Sequence, residues 1–196
     1  MGITIHYKGT LKDDASLLQL IEEVKDIAEI MHWKYTILET VMPEKNPAEE
    51  MVDGHLYGII FSPENCEPVW LTFLSNRRLC SVLNLHEFKM PLNEVDELNY
   101  WCFTKTQFAG PEVHKAVVAI LKHISQKYLD NMEVDDEGHY WETGDSILLE
   151  KTFSRYTALI DAMGDALSFT EQKPNESLEE AIIRIFKEVH NKLNKP

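Results

Sequence analysis

The sequence predicts an α+β fold: a mixed or antiparallel sheet of six to eight strands with four main helices. Three observations predict it. Apolar residues recur at helical spacing in four long segments. Short runs of alternating β formers stand apart from those segments, bounded by Pro, Gly or Asn. Two of these runs are joined by only residues 63–68, a link so short that it supports a hairpin. The alternation within the strands implies a sheet with one covered face.

Residues 2–8 (GITIHYK) read as a strand with Ile3, Ile5 and Tyr7 on one face, broken by Gly9. Asp13 or Asp14 can cap a helix running to about residue 32. Its buried stripe is Leu17, Leu20, Ile21, Val24, Ile27, Ala28 and Met31. Residues 33–42 read as a strand and 43–51 as a charged loop punctuated by prolines. The runs 55–62 and 69–74 form the hairpin. Residues 75–99 show no clear period, and they are where a lobe boundary is expected.

Residues 99–106 (NYWCFTKT) form the next strand. Gly110-Pro111-Glu112 starts a helix to about residue 128, because Pro suits the first turn and Glu the positive helix end. Val113, Val117, Ile120, Ile124 and Tyr128 mark its apolar stripe. Residues 131–134 and 139–143 read as two short strands around the turn Asp135-Asp136-Glu137-Gly138, with Gly138 available for a left-handed position. Asp145 caps a third helix with a seam at Leu149, Phe153, Tyr156, Ile160, Met163 and Leu167. After a polar link at 170–176, the word Ser177-Leu178-Glu179-Glu180 is a capping box that opens the last helix.

Strand, helix, strand, strand describes both 3–62 and 99–143, so the order admits two βαββ units closed by a C-terminal antiparallel helix pair. One domain over 1–196 is expected, with lobes at 1–75 and 99–143 and terminal helices at 145–194. A chain of 196 residues can bury roughly 70% of its unfolded surface, so it needs neither disulfides nor metal to fold.

The 33 acidic residues outnumber the 19 basic ones, for a net charge of −14. That balance repels nucleic-acid phosphates and anionic membrane surfaces, and it favours a basic protein partner. Three cysteines with no CxxC pair argue for a reducing compartment. No apolar run suits a signal peptide or a membrane span, so the cytoplasm is the expected location.

Familiar chemistry is missing. The chain has no GxGxxG, no GxxxxGK[ST] and no GxSxG. His86-Glu87 starts a HExxH-like word, but Met90 stands where the second His belongs. Glu133, Asp135, Glu137 and Gly138 imitate half an EF-hand loop, yet Gly144 falls where a bidentate Glu is needed. No histidine pairs with another ligand at a recognised metal spacing, and neither metal nor cofactor is expected. Cys102 reads as core. Cys66 reads as exposed, between acids that raise its thiol pKa.

Polar residues at element ends make 104–145 the candidate surface. Thr104, Thr106 and Gln107 sit where a strand ends and a helix begins. Free backbone N–H groups at that helix start could hold an anion, which Glu112 would partly repel. His114 lies off the main apolar stripe and reads either as a general base or as a surface histidine; the surface reading is favoured because sequence offers it no partner. Around Trp141, either the indole faces the core and Glu142 is exposed beside Tyr140, or Glu142 is a buried acid with a raised pKa.

The words TKTQFAGPEVH and DEGHYWETGD, with the opening ITIHYKG, resemble a block in small bacterial proteins of no assigned function. The resemblance implies a bacterial, cytoplasmic protein and no catalytic residues. Two functions stay open. One is an acidic binding or regulatory protein, for example an immunity-type protein that neutralises a basic toxin. The other is a small hydrolase whose cleft is lined by Thr104, Gln107, His114, Glu142 and Glu137, which requires His114 and Glu142 to converge.

Overall fold

The computed structural model describes residues 2–43, 51–169 and 176–193. One compact unit runs to Leu149 and a second begins at Glu150. The first holds β1 (Thr4–Leu11), α1 (Ala15–Ile30), β2 (Lys34–Ile37), β3 (Tyr57–Ser62), β4 (Val69–Phe73), β5 (Cys102–Lys105), α2 (Pro111–Tyr128), β6 (Leu129–Asp136) and the single-turn α3 (Tyr140–Thr143). Helix α4 (Ser146–Phe169) crosses the division, and α5 (Leu178–Leu193) lies in the second unit.

The six strands form two three-stranded antiparallel sheets, β5-β1-β6 and β2-β3-β4, rather than one sheet of six to eight. The reason lies at residues 74–79. A tight turn, closed by Arg77 N–H to the Leu74 carbonyl at 2.8 Å, holds Arg77 at φ 69°. Residues 77–79 lie against β1, through the Leu11 N–H on the Arg77 carbonyl and the Leu79 N–H on the Gly9 carbonyl, each at 2.9 Å. The sheets therefore touch at the isolated bridges Thr10↔Arg78 and Phe73↔Leu79 instead of fusing.

Both sheets share one core. Ile5, Tyr7 and Leu11 of β1, Ile59 and Phe61 of β3, Leu71 and Phe73 of β4, and Val117 and Leu121 of α2 belong to one buried cluster. The α1 stripe is as expected through Leu17, Leu20, Ile21, Val24 and Ala28, while Met31 is exposed. Residues 75–99, unreadable by pattern, contain the 3-10 turn Leu85–Lys89 and open a second, Glu97–Tyr100, which takes the first residues of the strand expected over 99–106, so that β5 begins only at Cys102. Phe88 and Tyr100 pack there with Leu74 and Cys80 in a second, smaller core.

Three expectations fail for local reasons. Strand β1 does not stop at Gly9 but continues to Leu11, with a bulge against β6 between Lys8 and Thr10. The run 131–134 is part of one eight-residue strand paired along its length with β1. Residues 139–143 are not a strand: the Asp136 carboxylate accepts N–H groups from Gly138, Tyr140 and Trp141 at 2.7, 2.8 and 2.9 Å, and this winds the chain into a helical turn. The second βαββ unit therefore does not exist.

The predicted caps form. Asp145 Oδ1 accepts from Ile147 and Leu148 N–H at 2.8 and 3.1 Å. In the second unit the capping box closes, with Ser177 N–H on Glu180 at 2.8 Å and Glu180 N–H on the Ser177 hydroxyl at 3.2 Å. The polar link expected at 170–176 lies outside the described residues except for Glu176, which grips Arg184 through two bonds of 2.8 and 2.9 Å.

Candidate functional site

Three of the candidate residues, Thr106, Gln107 and Glu137, fasten the start of the chain. Thr106 N–H donates to the Ile3 carbonyl at 3.0 Å. The Gln107 side-chain oxygen accepts the Ile3 N–H at 2.8 Å. From the other side, Glu137 accepts the Thr4 N–H at 2.8 Å and returns its own N–H to the Thr4 carbonyl at 3.1 Å. Thr104, fully buried, donates its hydroxyl to the Glu67 carbonyl at 2.9 Å. The Ile3 bonds satisfy buried backbone groups, which would otherwise be costly to desolvate, while the Thr4–Glu137 pair lies nearer the surface.

His114 is not a surface residue: it is 0% exposed. The buried stripe of α2 runs through it, as His114, Val117, Val118 and Leu121. Its Nδ1 lies 2.8 Å from the Thr106 hydroxyl, and its Nε2 lies 3.1 and 3.2 Å from the two Asp136 oxygens. Burial alone would raise the Asp136 pKa. His114 and the Trp141 and Gly138 N–H groups outweigh that and hold it below the ordinary aspartate value.

Hydroxyl, imidazole and carboxylate in a chain is the order of a nucleophilic triad. Here all three are sealed from solvent, and the Thr106 hydroxyl also lies 3.3 Å from the Ile3 carbonyl. An ionised Asp136 can only accept, so neutral His114 carries its proton on Nε2 and accepts a hydrogen bond from the Thr106 hydroxyl at Nδ1. If the ring is doubly protonated, Nδ1 donates to Thr106, whose hydroxyl turns to the Ile3 carbonyl. Either state is fully bonded, which suits a structural tie. A substrate could reach neither oxygen.

Gly138 exists for this tie. A Cβ there would lie 2.8 Å from His114 Nε2 and 2.8 Å from a Leu149 methyl. The left-handed position belongs instead to His139, at φ 58°. Tyr140 and Trp141 are half-buried against the main core, and the Lys122 ammonium sits over the indole, 5.4 Å from its centroid. Glu142 stands exposed, so it does not meet the sealed His114 in one pocket.

Functional groups that sequence reasoning passed over lie on the outer face of sheet β5-β1-β6. Cross-strand register puts Phe103, His6 and Asp135 in one row, Lys8 and Glu133 in the next, and Arg78, Thr10 and Asp130 in a third. Lys8 pairs with Glu133 at 3.1 Å and lies 5.1 Å from the Trp101 ring centroid. Arg78 stacks 3.2 Å over the Tyr100 ring and grips both Glu97 oxygens, holding that carboxyl below its ordinary pKa. Asp130, Glu133 and Asp135 are exposed along β6, beside a cleft of about 250 Å³ lined by Lys8, Arg78 and Glu133 among others. The signal available was the alternation of β1 itself, whose even-numbered side is His6, Lys8 and Thr10.

Cys66 is half-buried rather than exposed, and burial, more than Glu67, raises its thiol pKa against the lowering effect of Thr104. Cys102 is fully buried, as expected. Among the described residues no group of His, Cys, Asp and Glu could hold a metal ion, and no helix is long and apolar enough to cross a membrane. No protein-family model, no curated protein and no solved structure matches this chain.

Proposed function

We propose that this is a non-enzymatic binding or regulatory protein that engages a basic protein partner through the outer face of sheet β5-β1-β6. The observation that carries the reading is the acidic row Asp130, Glu133 and Asp135 on β6, exposed on one side of a face whose other side presents Phe103. Acidic side chains steer a basic partner and fix its register, while an aromatic supplies contact area. The net charge of −14 strengthens the steering. An immunity-type role, neutralising a basic toxin, is one form of this function. The sealed Thr106–His114–Asp136 chain favours it over a hydrolase.

The test uses fluorescence anisotropy of a labelled lysine-rich peptide against the full chain. Binding is expected to weaken steeply as salt rises, and the double variant Asp130→Asn/Asp135→Asn is expected to bind roughly two- to thirtyfold more weakly, the scale of two lost rim charges at about 0.2–1 kcal/mol each. Affinity independent of salt, or unchanged in that variant, refutes the reading.

A further inference from the structure

We infer that the cleft at the β1–β6 bulge is a binding site for a small zwitterion, a molecule of the α-amino-acid class that carries one carboxylate and one ammonium. Two cations and two carboxylates face this cleft: Lys8, Arg78, Glu97 and Glu133. The cations are the anchored half. Arg78 is stacked on Tyr100 and Lys8 is seated over Trp101, and their side chains are 29% and 23% exposed. Their counter-ions are the loose half, with Glu97 68% and Glu133 61% exposed.

A ligand carboxylate can therefore take the guanidinium and ammonium, which are already in place, while the displaced glutamates turn to the ligand's own ammonium. The four charges sum to zero. A zwitterion replaces both pairs, its carboxylate on Lys8 and Arg78 and its ammonium on Glu97 and Glu133, so it keeps every charge partnered. The volume, about 250 Å³, lies below the roughly 300–1,000 Å³ of sites for drug-sized ligands and limits the occupant to a smaller molecule.

The backbone of the cleft is also special. Gly9 of β1 faces the bulged residues of β6, and Asn131 there holds φ 52°. Bulges are over-represented at sheet edges and beside binding sites, and this one turns β6 at the cleft. Nothing in this site requires the basic partner proposed above, and it can be tested without any peptide.

The experiment is an amide chemical-shift titration of the full chain with L-alanine, and separately with propionate and with propylammonium. L-Alanine is expected to shift the amides of Gly9, Thr10 and Asn131 saturably in the millimolar range, while the two singly charged probes do not. Glu133→Gln, a change at an exposed side chain that leaves the fold intact, is expected to weaken L-alanine about tenfold through loss of one charge-assisted contact. No saturable shift with L-alanine overturns the inference. So does saturation by propionate or propylammonium alone, or unchanged L-alanine affinity in Glu133→Gln.

Discussion

Replacing Asp136 by Asn should expose how much the first unit depends on the buried tie. The carboxylate accepts three backbone N–H groups and the His114 Nε2–H. An asparagine keeps one oxygen. With that oxygen on Tyr140 and Trp141, its NH₂ confronts two donors, Gly138 N–H and His114 Nε2–H. Each hydrogen bond to an ionised acceptor contributes about 1.5–3 kcal/mol, so losing two costs about 3–6 kcal/mol. Part is recoverable. His114 can move its proton to Nδ1, accept from the new amide at Nε2 and donate to Thr106, whose hydroxyl turns to the Ile3 carbonyl 3.3 Å away. The net expectation is a loss of about 2–4 kcal/mol.

Urea unfolding followed by tryptophan fluorescence measures it cleanly. All four tryptophans, Trp33, Trp70, Trp101 and Trp141, lie in the first unit. In a Thr106→Val background the rescue route is gone, so the double variant should lose about 1 kcal/mol more than the two single losses combined. A loss under about 0.5 kcal/mol for Asp136→Asn, the range of ordinary surface changes, refutes the reasoning, as does simple additivity. Asp136 also sets a pH dependence. Its folded pKa is depressed below the unfolded value of about 3.9, so its contribution is full above that pH and is lost as pH falls through the folded value. Asp136→Asn should lack that acid limb.

Gly138→Ala should destabilise the first unit by about 1–3 kcal/mol, because the added methyl meets His114 and Leu149 at 2.8 Å; a thermal melt reads it. Glu23 accepts Lys127 and His123 at 2.8 and 2.6 Å and is held at a pKa of about 2 although partial burial pushes the other way. Its contribution is complete above the unfolded glutamate pKa and fades as pH falls toward about 2, so Glu23→Gln should flatten the stability-versus-pH curve in that interval. The Ser81 hydroxyl is buried with no hydrogen-bond partner among the described residues, so Ser81→Ala should stabilise by about 1 kcal/mol in the same urea assay.

Local patterns in the sequence were reliable wherever one element's own period or cap decided the outcome. The α1 stripe, the β3–β4 hairpin, Pro111 at the start of α2, the Asp145 cap and the Ser177–Glu180 box are all present in the structure. Errors came where distant residues decide. His114 was legible in principle: His114, Val117, Val118, Leu121 and Ile124 keep helical spacing, and a stripe drawn one residue away hid it. Its partner Asp136 is 22 positions off, so no spacing rule joins them. Asp136 also overrode the β propensity of His-Tyr-Trp, its carboxylate accepting the Tyr140 and Trp141 N–H groups and its backbone carbonyl the His139 N–H, which follows from burying its charge beside His114. The pairing of Gln107 with Ile3 spans 104 positions and had no local signature at all. The outer face was missed because its rows exist only once β1 lies between β5 and β6.

The most direct measurement of the central claim is amide chemical-shift mapping of the full chain with the lysine-rich peptide. The account predicts salt-sensitive shifts at Lys8, Asp130 and Asp135 on the outer sheet face, with Thr106, His114 and Asp136 unmoved. Shifts centred on Thr106, His114 and Tyr140, with the outer face silent, would contradict it.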